Sequence, residues 1–152
     1  MKIPFFSKKD FFSEEEKKQI VTAIGQAEQQ TSGEIRVFVE SRCRFVDPLD
    51  RAAEVFANLK MGKTASHNAV LLYMATKDRQ LAIFGDQAIH EKVGEVFWQE
   101  EVMHILSQFQ KDHYADAVAK VVLDIGDALK QHFPYDRQTD INELPDDIVF
   151  GR

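Results

Sequence analysis

The chain has little cysteine, proline or glycine: one, four and seven respectively among 152 residues. A single thiol, Cys43, cannot close an internal disulfide or build a cysteine-rich zinc site, which agrees with a reducing compartment. Such a composition is neither collagen-like nor of low complexity. Positive charge is also short. Nineteen Lys and Arg against 25 Asp and Glu give a formal charge of −6, which opposes counterion-release binding to nucleic acid or to an anionic membrane surface. Long hydrophobic runs are missing as well. The longest, Ala69 to Ala75, falls far short of the ~20 residues of a membrane helix, and Lys8, Lys9 and Asp10 interrupt the apolar start that a signal peptide needs. The expectation is a cytoplasmic protein with no nucleic-acid partner and no membrane insertion. With 44% hydrophobic and 29% charged residues, what is present suffices for one folded domain that buries roughly 70% of its unfolded surface.

Residues 1 to 12 carry Phe5, Phe6, Phe11 and Phe12, too apolar for a solvated lead. Ser13 with Glu16 has capping-box spacing, and Ile20, Ile24 and Ala27 recur on one stripe, predicting a helix over 13–30. Thr31-Ser32-Gly33 breaks it. Ile35, Val37 and Val39 then alternate with Glu34, Arg36 and Glu40, the period of a strand. Asp47 before Pro48 predicts the capped start of a second helix, with Leu49, Ala52, Ala53, Phe56 and Leu59 as its stripe up to Gly62. The unalternating run from Ala69 to Ala75 predicts a central strand covered on both faces. Thr76 to Arg79 links it to Leu81-Ala82-Ile83-Phe84 as a hairpin. A helix over 88–109, broken near Gly94, carries Ile89, Val93, Val96, Phe97 and Leu106. A last helix runs from Tyr114 to before Pro134. The order α-β-α-β-β-α-α, with one parallel crossover, predicts a three-layer α/β/α sandwich around a small mixed sheet, with helices on both faces. Residues 1–133 form this domain. Residues 134–152, with five acids and two arginines, still contain Ile141, Leu144, Ile148, Val149 and Phe150, and a segment docked on the body is expected.

Several motifs dissolve on inspection. Ala57-x-x-x-x-Gly62-Lys63-Thr64 loosely matches a phosphate loop, but it leaves a helix and enters a strand, the reverse of what aims backbone amides at phosphates. Cys43 lies between Arg42 and Arg44, yet position 49 is Leu, where a cysteine-phosphatase loop needs Arg. His67, His90, His104, His113 and His132 show no i, i+4 ligand pair. The acids at strand ends are better candidates, because calcium and magnesium take oxygen ligands gathered from separate loops. With the first two strands parallel, Asp47, Asp50 and Asp78 gather at one sheet end, and Glu34, His67, Asn68 and Asp86 at the other. Caps and turns explain the same acids structurally.

Taken in order, Thr31-Ser32-Gly33-Glu34-Ile35-Arg36-Val37, His67-Asn68-Ala69-Val70-Leu71-Leu72, Lys77-Asp78-Arg79 and Ile83-Phe84-Gly85-Asp86 resemble the first strand and central hairpin of TPM domains. The segment through Tyr114 and the ending Asn142-Glu143-Leu144-Pro145-Asp146 are similar to a stand-alone branch of that bacterial and chloroplast family. The resemblance implies an α/β/α sandwich. It also brings several activities: acid phosphatase, divalent-cation binding, membrane-protein assembly and protein interaction. Two positions depart from the commoner form: Asn68-Ala69 replaces Asn-Gly, and Gly85-Asp86-Gln87-Ala88 replaces a glycine-rich loop. The expected function is a binding module acting through protein partners, with the acidic tail and the edge strand of the hairpin as surfaces. A weakly held Ca2+ or Mg2+ is its expected ion, on Asp47, Asp50 and Asp78 or on Glu34, Asn68 and Asp86. The alternative is a metal-dependent phosphatase of phosphate monoesters.

Overall fold

The computed structural model describes residues 11–108, 114–135 and 148–151. Phe5, Phe6, His113, Ile141 and the Asn142 to Asp146 motif lie outside them. Helix α1 (Glu14–Glu28) starts with the expected capping box: the Ser13 amide donates to Glu16 Oε1 at 2.8 Å and the Glu16 amide to Ser13 Oγ at 3.1 Å. Strand β1 (Glu34–Glu40) leads to α2 (Pro48–Asn58), capped by Asp47 with Pro48 in its first turn. The chain leaves α2 through Lys60, at φ 58°, and a single 3-10 turn over Met61–Lys63. The hairpin joins β2 (Ala69–Ala75) to β3 (Gln80–Gly85), and α3 (Gln87–Gln108) and α4 (Tyr114–His132) follow.

A fourth strand, β4 (Ile148–Phe150), was not legible in the sequence. Its three residues are too short a run to show a period. The sheet order is β3-β2-β1-β4; β1 pairs parallel with β2 and β4, and β2 antiparallel with β3. All seven residues of β2 are buried. Its side chains divide between two cores. Val70, Leu72 and Met74 join Ile35, Val37 and Val39 beneath α1, α3 and α4, and Leu71, Tyr73 and Ala75 lie beneath α2 with Val55 and Phe56. Among the described residues, four helices on two faces of one mixed sheet give the expected α/β/α sandwich. α1 and α4 approach closely where Gly126 meets Ala27: a Cβ on Gly126 would lie 2.5 Å from that of Ala27.

Gly94, at φ 80° and ψ 168°, divides α3. The break resets the helical phase, and this corrects the stripe expected there. Val96 is 65% exposed, while Trp98 and Ile105 are buried.

Glu101 of α3 faces Asp124 of α4, which binds Lys120 at 2.7 Å. Burial first, then hydrogen bonding with Asp124, pushes the Glu101 carboxyl up to about 7.

Two measurements test this packing. Leu71→Asp should lower unfolding free energy by ~3 kcal/mol or more in urea titration, because the charge has no partner between β2 and α2; a change below ~1 kcal/mol would contradict the double-sided sheet. The folded chain keeps the Glu101 proton up to about 7 and the unfolded chain only to the ordinary carboxyl value of 4.5. Stability therefore falls as pH rises through that window. After discounting for solvent screening, Glu101→Gln should gain about 1 kcal/mol at pH 8, about 2–4 °C in Tm, and almost nothing at pH 4.5.

Candidate functional site

At the carboxyl end of β1 a buried carboxylate is tied into the fold. Glu40 is buried, and its two oxygens accept from Arg51 Nε at 2.9 Å and Nη2 at 3.0 Å. Tyr73 donates its hydroxyl to the same carboxylate. Hydrogen bonding to Glu40 is the largest influence holding Arg51 protonated, with burial opposing it and Glu54 adding to it. Burial first, then Glu40, pushes the Tyr73 phenol far above its usual range. The guanidinium also lies 5.8 Å from the Phe38 ring centroid.

Nearby, Asp78 accepts from Arg42 Nη1 at 3.1 Å and from the Cys43 amide at 2.8 Å, tying the hairpin turn to the loop after β1. Asp47 caps α2 by accepting from the Leu49 amide at 2.9 Å. Asp50 is exposed in the first turn of α2, its amide donating to the Asp47 carbonyl.

At the opposite end Glu34 and Asn68 are buried, and Asn68 donates to Ser32 Oγ at 3.2 Å. Asp86 accepts from the Gln87 amide at 2.8 Å and lies 3.4 Å from His67 Nδ1. Each sequence-derived trio thus shares a sheet end; Asp47 serves as a cap, Asp78 as a turn tie, and Asp86 accepts the neighbouring Gln87 amide. Among the described residues no three His, Cys, Asp or Glu side chains converge in a metal-ligand group.

A sizeable concavity lies elsewhere, along the outer edge of β3. It encloses about 930 Å³, with Leu81 to Gly85 as its floor, the start of α2 at Leu49 as one wall, and Trp98, Val102 and Met103 of α3 as the other. The strand pairing fixes which backbone groups face it. Asp86 donates its amide to the Ala69 carbonyl at 2.8 Å; with the observed register, residues 80, 82 and 84 bond inward to β2. The amides and carbonyls of Leu81, Ile83 and Gly85 then point outward into the groove.

The Trp98 indole donates to His90 Nδ1 at 3.0 Å across the Gly94 break, which holds the aromatic wall in place. The ring lies so close to the strand that a Cβ on Gly85 would come within 2.5 Å of it. Leu49 is 38% and Met103 65% exposed in this wall. Sequence reading named the edge strand but missed Trp98 and Met103, since a stripe drawn through Gly94 without a phase change passes them by.

Glu40→Ala should cost ~2–3 kcal/mol, chiefly because it leaves the buried Tyr73 hydroxyl without its acceptor while Arg51 keeps Glu54. Urea unfolding at pH 7 checks this, and a loss under ~1 kcal/mol would mean that the trio is solvent-relaxed.

Among the described residues no helix is long and apolar enough to cross a membrane. No protein with a curated description matches the chain. Among solved structures, the NMR structure of the BA42 protein from the psychrophilic bacterium Bizionia argentinensis is 40% identical, covering 93% of this chain and 96% of that one at a TM-score of 0.83. The N-terminal domain of the cg2496 protein of Corynebacterium glutamicum shares the fold at 13% identity and a TM-score of 0.61, over 98% and 91% of the two chains. The TPM domain profile matches residues 6–128, most of the chain, and the protein belongs to the TPM domain family.

Proposed function

We propose that this chain is a binding module that holds an extended segment of a protein partner in the groove along β3. The observation that carries this reading is the outward-facing backbone of Leu81, Ile83 and Gly85 within an apolar channel. An exposed strand edge is a template for a further strand, and its main-chain groups supply affinity while flanking pockets supply selectivity. The volume is also within the ~300–1,000 Å³ of ordinary ligand sites.

Peptide display on the immobilised full chain should enrich sequences whose retention is lost in Met103→Glu. That substitution puts a charge into the apolar wall at an exposed position and leaves the core intact. Enrichment indifferent to the substitution would remove the groove from the function. A phosphatase assay separates the other reading: the expected result is no chelator-sensitive hydrolysis of p-nitrophenyl phosphate. Turnover that calcium or magnesium restores, and that Asp78→Asn abolishes, would make the protein a metal-dependent hydrolase.

A further inference from the structure

We infer that the segment taken by this groove is an unbroken apolar strand flanked by lysine or arginine, added edge to edge onto β3. The inference rests on the groove being the docking surface and specifies what fits it. β3 has six residues, of which three direct their backbone outward, so an added strand of about five residues matches its length.

Successive side chains of such a strand point to opposite faces of the extended sheet. One face meets Trp98, Val102 and Met103, and the other meets Leu49 and Phe84. An alternating polar and apolar sequence would therefore press every second, polar side chain against an apolar wall, as it would in β2. Burying each such group without a partner is unfavourable, so the fitting core is a run of Val, Ile, Tyr or Phe.

The charge sits at the ends. The lining includes Asp47 near the start of β3 and Asp86 and Glu95 near its finish, and it contains neither lysine nor arginine. Asp47 and Asp86 accept backbone amides, and Glu95 is exposed. The net charge of the whole chain, −6, has the same sign. Basic residues on both sides of the apolar core thus meet carboxylates at both rims, which sets partner choice and speeds encounter more than it adds affinity.

The test uses the full chain and fluorescein-labelled synthetic peptides read by anisotropy. The probe is Lys-Lys-Val-Tyr-Val-Ile-Val-Arg-Lys. One control replaces its basic flanks by Glu, and another replaces Tyr and Ile by Ser. The probe should bind at least tenfold tighter than either control and lose at least tenfold in Met103→Glu. Glu95→Lys should weaken the probe while leaving a Ser-flanked version unchanged. Hydrogen exchange at the Leu81, Ile83 and Gly85 amides should slow in the complex.

Equal binding of the Glu-flanked or Ser-interrupted peptide, or unchanged exchange at those three amides, overturns the inference while displayed peptides lost in Met103→Glu keep the groove itself in place. If neither displayed nor synthetic peptides depend on Met103, the docking reading falls with it. Binding that appears only in a Phe5→Asp, Phe6→Asp variant would show that the chain's own first residues fill the groove. Concentration-dependent dimerisation abolished by Met103→Glu would assign the groove to a second copy. Either result overturns a separate partner.

Discussion

The structure depends on the complete desolvation of β2. Seven consecutive buried residues leave neither face of that strand able to meet water, so helices must cover both. This one demand explains the division of labour among the rest. α2 returns the chain from β1 to β2 in parallel and covers one face, and α1, α3 and α4 cover the other. The hairpin then makes β3 an edge by default, because the crossover has already placed β1 on the other side of β2. The two helix layers extend over that edge as walls, so the groove follows from how a central strand is insulated.

The same insulation determines where charges can stand. Glu40 belongs to the alternating polar set of β1, a pattern that promises a wet face, yet it is buried because the layer carrying α2 also covers that end of the sheet. A carboxylate there is tolerable only with its lone pairs filled, and the fork of Arg51 with the Tyr73 hydroxyl fills them. The arrangement occupies the Glu40 carboxylate at the carboxyl end of the parallel strands, where open α/β sheets often bind ligands. The groove along β3 lies to the side of that end, at the antiparallel edge.

What could be read from the sequence was whatever a local rule encodes. Ser13 with Glu16, Asp47 with Pro48 and the apolar run of β2 each depend on near neighbours, and each element appears within a residue or two of its expected place. The break at Gly94 was legible, but its consequence was not: a positive φ there rotates everything after it, so Trp98 rather than Val96 turns inward. β4 and the burial of Glu40 depend on partners more than thirty residues away for Tyr73 and over a hundred for Ile148, which no periodicity reveals. The groove is of that kind too. Leu49 reads as one more member of an amphipathic stripe, and only the sheet order shows that its side of α2 overhangs an unpaired strand.

Edge strands are commonly protected by lysine, proline, a bulge or a covering element. β3 is Gln-Leu-Ala-Ile-Phe-Gly, without a charge or proline, and its paired register contains no bulge. The protection it has is steric. Trp98, fixed through His90, and Met103 stand on one side with Leu49 on the other, so a flat sheet edge from another molecule cannot approach broadside. A single narrow strand can enter lengthwise. The walls that discourage indiscriminate pairing are thus also the surfaces that would meet the proposed segment, so one small set of side chains would serve both roles.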